Sequence, residues 1–351
     1  MRIAQVPPLY ESVPPRLYGA TTRIVSYLTE ELVRLGHRVT LFATEDSQTA
    51  AELIPVHRCG LWRDRTVWET LAHHVRQLEL VCQQADRFDV VHFHGDPLHY
   101  PAARRLPCRS VSTLHGVLLP VDHGPLFREF REAPLVSISD DQRRPIPWAN
   151  WQATVYHGLP RDGLTFRERP GEYLAFLGRL VPDKRPDLAV EIARRAGMPL
   201  KIAAKIDPGH RAYFDERVEP LLRASRSFVE FVGEVGGKDK DDFLGNAAAL
   251  LFPIDWPEPF GMVLIEAFAC GTPAVAFRRG AVPEIMADGV TGFVVDSVDE
   301  AVAAVGRIGA IRRHECRRVF EERFTAERMA REYVAVYQRL LAADGRRQGH
   351  S

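Results

Sequence analysis

A chain of 351 residues is long for one small core and suits two domains of ordinary size. Its 46% apolar and 26% charged residues match a soluble globular protein, and a formal net charge of zero argues against nucleic acid as a partner. The five cysteines, Cys59, Cys82, Cys108, Cys270 and Cys316, stand far apart without a CxxC, which suits a reducing cytosol.

"MRIAQV" passes straight into a strand-like run, and no stretch approaches the roughly 20 apolar residues of a membrane span. The expected location is the cytoplasm, with peripheral contact at the inner membrane surface left open. Strands are predicted near Ile3–Val6, Arg38–Ala43, Val90–Phe93 and Ser110–Leu114, and helices near Thr22–Leu35 and Thr66–Gln84. On the second helix Trp68, Leu71, Val75, Leu78 and Cys82 recur at spacings of three and four while His73, His74 and Arg76 fall elsewhere, so the apolar stripe is predicted to face the core.

The loop after the opening strand, "PPLYESVPPRLYGATTRIV", leads into a helix whose free N–H groups suit phosphate. It holds only Gly19 and no GxGxxG, which argues against NAD, and standing alone it reads as a plain strand-to-helix loop. Histidines gather in "DVVHFHGDPLHY" and "STLHG". His92, His94 and Asp96 form an HxHxD run of metal-site type, but a hydrogen-bonded core histidine is the commoner outcome inside such a strand, and no metal is expected. His115 ends a strand at its carboxyl edge, where contact with substrate is expected rather than burial.

"PRDGLTFRERPGE", residues 160–172, has a linker's composition and marks a domain boundary. Beyond it "EYLAFLGRL", "LKIAA", "FVEFVG", "ALLFPI", "PAVAF" and "GFVV" alternate with helical segments, which makes a second α/β domain; two such domains in series leave a cleft at the carboxyl ends of their strands. In "FLGRLVPDKRPDLAVEIA" a strand ends at Gly178 and the turn carries Arg179 and Lys184, two cations placed to meet a diphosphate or, more plainly, a solvated basic turn.

"DWPEPFGMVLIEAFACGTP" carries Glu258 in a proline-stiffened loop and Glu266 inside an apolar helix ended by Gly271. On one helix eight residues would span about 12 Å, against roughly 5 to 9.5 Å for the paired carboxyls of a glycosidase. A hydrolytic acid/base pair is therefore disfavoured. Unlike tasks fit better: a carboxylate in the helix accepting ribose hydroxyls, and one in the loop facing a sugar whose phosphate lies on the helix start. Glu266 also reads as a structural group bonded to a neighbouring strand.

These segments, with "LFPIDWPEPFGMVLIEAFACGTPAVAFRRGAVPEIMADGVTGFVV", "DVVHFHGDP", "VSTLHG" and "SISDDQRRP", resemble retaining glycosyltransferases of the GT-B fold, glycosyltransferase family 4, over nearly the whole chain. The resemblance implies two Rossmann-like α/β domains facing across a cleft: residues 1–160 on the acceptor side, 161–324 for the nucleotide-sugar donor, and 325–351 as a helix packing back on the first domain, and a tail. It implies that Gly178, Arg179 and Lys184 hold the donor diphosphate and that Glu266 binds the ribose. Glu258, with Phe260, Gly261, Met262 and Val263, would meet the transferred sugar and the phosphate, Gly19 and Ala20 would close on the phosphates, and His115 would lie by the reacting sugar. The implied chemistry is hexosyl transfer with retention and without metal or cofactor. The donor, UDP- or GDP-linked, is a substrate, and the acceptor is a sugar, a lipid or a small molecule.

Relatives of this kind commonly read Gly-Gly-Thr-Glu where this chain reads Gly19-Ala20-Thr21-Thr22, and a methyl at position 20 crowds a close backbone approach to phosphate. Two further readings accompany the transferase: a nucleotide-sugar epimerase of the same fold, and a nucleotide-sugar-binding protein without turnover.

Overall fold

The computed structural model describes residues 1–16, 19–95 and 97–348. The chain divides into two compact units, Met1–Gly158 together with the segment from Ala326, and Leu159–Thr325.

The first unit is built on seven parallel strands: β1 (Arg2–Val6), β2 (Arg38–Thr44), β3 (Glu52–His57), β4 (Val90–Phe93), β5 (Arg109–Thr113), β6 (Leu135–Ser137) and β7 (Trp151–Thr154). Their order is β3-β2-β1-β4-β5-β6-β7. Helices cover both faces of a parallel sheet, so its inner strands are buried on both sides; β4 is buried throughout, His92 included, and β1 and β5 bury Gln5, Ser112 and Thr113. Sequence reading finds β1, β2, β4 and β5 but not β3, β6 or β7. The last is a half-buried edge, β6 has only three residues, and β3 is an edge strand interrupted by Pro55.

The apolar stripe of the second helix, Thr70–Gln83, is the main correction. Trp68, which precedes the helix, is 96% exposed, Leu71 and Val75 lie about half in solvent and Cys82 is exposed; of the stripe Leu78 packs against the core, while His74, Gln77 and Val81 turn inward. The buried face is polar for a reason. The Leu9 amide donates to His74 Nε2 at 3.1 Å, and Gln77 Nε2 donates to the carbonyls of Pro7 (2.8 Å) and Phe42 (2.7 Å). This helix satisfies the backbone of the loop after β1, groups that would otherwise be buried without partners.

The C-terminal helix Ala326–Gln348 belongs with the first unit. Met329, Ala330, Tyr333, Val336 and Tyr337 repeat at helical spacing and are all buried. Arg328 Nη2 donates to the Tyr156 carbonyl at 2.6 Å.

The second unit has six parallel strands: β8 (Leu174–Arg179), β9 (Leu200–Lys205), β10 (Val229–Gly233), β11 (Ala249–Phe252), β12 (Ala274–Phe277) and β13 (Gly292–Val295). They follow the order β10-β9-β8-β11-β12-β13 around one apolar core. The stretch 160–172 is no free linker. The Arg167 amide donates to the Cys270 carbonyl at 3.0 Å, the Thr165 amide reaches Asp241 at 2.8 Å, and Phe166 packs on His314.

In both sheets the strand order reverses once, between β1 and β4 and between β8 and β11. The loops leaving such neighbouring strands turn opposite ways, and the crevice between them is where ligands of open α/β sheets bind.

Candidate functional site

At the reversal of the second sheet, the loops after β8 and β11 bring Lys184 and Glu258 together. Lys184 Nζ donates to Glu258 Oε2, and Trp256 Nε1 donates to the same oxygen at 2.6 Å. The ammonium also lies 5.0 Å from the Trp256 ring centre and 5.4 Å from that of Phe252, within cation–π range. Lys184 and Glu258 are only 15 and 13% exposed, so the pair is worth more than a solvated ion pair. Two backbone features hold it. The Asp255 amide donates to the Asp183 carbonyl at 2.9 Å, tying one loop to the other. Arg185 is left-handed at φ 51°, a strained conformation outside glycine, which turns the chain from Lys184 into the helix Pro186–Ala196.

The Glu258 loop ends at Gly261, left-handed at φ 91°, which starts the helix Met262–Ala269. The Phe260 side chain is buried against Phe324, so it is the backbone of this segment, with the free N–H groups of the first turn at Met262 and Val263, that remains unpaired by helix bonding. Glu266 lies within the helix, buried among apolar neighbours, and Lys240 Nζ donates to its Oε1. The two glutamates thus have different lysines and different settings. Arg179 pairs with a third acid, its Nη1 3.1 Å from Asp207 Oδ2. Gly178 has open space where a side chain would begin.

Sequence reading missed four members of this region: Lys240, Trp256, Asp207 and Gly280. A Cβ on Gly280 would lie 2.4 Å from both the amide nitrogen and the carbonyl oxygen of Glu258, and the Ala281 amide donates to that carbonyl at 2.9 Å. Such a long-range fit leaves no spacing signal in the sequence.

In the first unit Gly19, at φ 148°, precedes the helix Ala20–Arg34, with Ala20 as its exposed first residue. Leu17 and Tyr18 of this loop, and Asp96 of the histidine run, lie outside the described residues. His92 and His94 are buried. His92 bonds the Tyr337 hydroxyl (2.8 Å) and Thr113 Oγ1 (2.7 Å); His94 bonds Gln5 Oε1 (2.7 Å) and His115 Nε2 (3.0 Å). Every ring nitrogen of this pair therefore has a protein partner, which suits core histidines. His115 is half-buried rather than open: its Nε2 meets His94, and its Nδ1 is buried without a hydrogen-bond partner among the described residues. Burial lowers His115 to about 4 and holds His92, His94 and His157 well below the usual histidine range.

Among the described residues His57, Cys59 and Asp64 cluster with ligand atoms within 4.8 Å of one another. Asp64 is already saturated by Arg58, His57 and Thr66, and the Arg58 guanidinium foremost holds its carboxyl far below the usual range. A guanidinium occupies the place a cation would need, so the cluster is an ion-pair knot. Also among the described residues, no helix is long and apolar enough to cross a membrane.

Two parallel-sheet α/β units, the second with the Lys184–Glu258 pair at its strand reversal, are the architecture of GT-B proteins, and the comparisons show that class. The Glycosyltransferase Family 4 model matches residues 21–157 and the Glycosyl transferases group 1 model matches residues 166–323. The chain belongs to the GT-B glycosyltransferases of family 4.

The D-inositol 3-phosphate glycosyltransferase of Mycolicibacterium smegmatis is 33% identical over 165 residues, 44% of this chain and 34% of that protein. An uncharacterized glycosyltransferase of Methanocaldococcus jannaschii is 24% identical over 99% of this chain and all of its own length. The chain spans about a third to a half of the inositol-phosphate enzymes it matches, from 34% to 54% in the first two. Among solved structures, AviGT4, a glycosyltransferase involved in avilamycin A biosynthesis, superposes with a TM-score of 0.73 at 26% identity, covering 97% of this chain and 98% of that one. Anabaena HepE in complex with UDP and glucose gives 0.74 at 16% identity, covering 96% and 99%, and shares the fold.

Proposed function

We propose that the protein transfers a hexosyl group from a nucleoside-diphosphate sugar to a hydroxyl acceptor, with retained anomeric configuration and without a metal. The observation that carries this reading is the Lys184–Glu258 pair beside the Gly261 helix start: a cation for the diphosphate, backbone N–H groups for a phosphate, and a loop carboxylate for the sugar. Such groups favour departure of the diphosphate by stabilising the charge that develops on it.

Lys184 neutralises Glu258, and an arriving diphosphate competes for the ammonium and frees the carboxylate for sugar hydroxyls. Glu266 accepts from the ribose, and Arg179 supplies a second cation for the diphosphate. A histidine lowered to about 4 is neutral near pH 7 and a poor base, so His115 serves as a neutral hydrogen-bonding group, and the leaving phosphate takes the acceptor's proton. HepE in complex with UDP and glucose, on the same fold, supports a UDP-linked donor.

The test begins with a thermal-shift screen of UDP- and GDP-sugars, followed by acceptor profiling with the best donor. Lys184→Ala and Glu258→Ala should each lower kcat by at least about a hundredfold with unchanged circular dichroism. Wild-type turnover in both variants would overturn the site, and product of inverted configuration would overturn retention.

A further inference from the structure

A second lysine–glutamate pair, separate from Lys184–Glu258, joins the helices Gly237–Gly245 and Met262–Ala269. Lys240 lies in the helix Gly237–Gly245, and its ammonium meets Glu266 with side-chain exposures of 17 and 10%. The two acidic residues that follow it on its own helix are engaged by Arg167, whose Nη1 lies 3.3 Å from Asp241 Oδ1 and whose Nη2 donates to Asp242 Oδ1. Lys240 is thereby left to Glu266. Among the described residues the second oxygen of Glu266 has no hydrogen-bond partner.

A carboxylate in an apolar helix is costly unless paired, and one held by a single oxygen is fixed in rotamer while the other oxygen can still accept. We propose that Lys240 is a positioning residue for nucleotide recognition: it pins one oxygen of Glu266 so that the other accepts a ribose hydroxyl of a nucleoside diphosphate. This rests on the donor reading above and adds to it the residue that makes Glu266 selective. Lys240 acts through Glu266 on the sugar of the nucleoside, whereas Lys184 acts on the phosphates.

The two lysines separate in one experiment. UDP, GDP and their 2′,3′-dideoxy counterparts are titrated calorimetrically into wild type, Lys240→Gln, Lys240→Arg and Lys184→Gln. A hydrogen bond to a charged group is worth between about tenfold and a hundredfold in affinity, and wild type should prefer the ribonucleotide by that factor. Lys240→Gln should lose most of this preference and Lys240→Arg should keep it. Lys184→Gln should weaken both forms alike with the preference intact. If Lys240→Gln does not fold, Lys240→Met, which fills similar volume without charge, takes its place.

Wild-type preference retained in the Gln or Met variant overturns the proposal and leaves the donor reading standing. Failure of wild type to bind either diphosphate overturns the donor reading and this inference with it.

Discussion

At Gly280 one missing methyl group shapes the loop that carries Glu258. The residue is left-handed at φ 53°, and a Cβ there would collide with the Glu258 backbone at 2.4 Å. Gly280→Ala therefore meets both backbone strain and a backbone clash, with no flexible side chain to give way. The cheapest relief is a shift of the Glu258 loop, and a displacement near 1 Å at a reacting group costs about a hundredfold in rate. The expected outcome is a comparable fall in kcat with donor affinity, read by titration, changed far less. Equal kcat in the variant would show that the loop tolerates the shift. Glu258 and Lys184 are visible in the sequence because their segments carry recognisable motifs. Gly280 and Lys240 are not, since each matters through one contact with a residue distant along the chain.

In the second sheet β11 and β12 are legible from sequence because burial on two faces makes them apolar without interruption, whereas β1, β4 and β5 of the first sheet bury Gln5, His92, Ser112 and Thr113 within their runs. Helix faces are less legible. Trp68, Leu71 and Val75 have the spacing of a core stripe, yet the helix Thr70–Gln83 turns His74 and Gln77 inward to bond the loop after β1. Periodicity counts apolar side chains and is blind to a neighbouring backbone that needs donors and acceptors. The exposed face predicts that Val75→Ser changes stability by no more than about 0.5 kcal/mol. Val81→Ala, on the buried face at 1% exposure, should cost about 2 kcal/mol. Urea unfolding with unchanged m-values would measure both; a larger loss at Val75 than at Val81 would reverse the assignment of faces.

Across the whole molecule the titratable groups are unevenly divided. The first unit contains His92, His94, His115 and His157, all lowered by burial, whereas the histidines of the second, His210 and His314, are exposed. For His115 the unfolded value is 6.5 and the folded value about 4. Between these the unfolded chain binds the proton and the folded chain does not, so this contribution is fully present above pH 6.5 and is lost as pH falls toward 4. The difference is on the order of 3 kcal/mol for His115; the three other buried rings act in the same direction. The lowered carboxylates of the second unit, such as Asp207 and Asp241, lose their contribution only at more acidic pH, as they take up protons. In scanning calorimetry, lowering the buffer pH from about 7.5 to about 5 should therefore lower the transition of the first unit well before that of the second. Unit-specific fluorescence assigns the transitions: Trp256 is the only tryptophan of the second unit, so a Trp256→Phe variant leaves emission from the first unit alone. Equal shifts in both transitions, or none in the first, would mean that the histidine cluster takes up protons without opposing the fold.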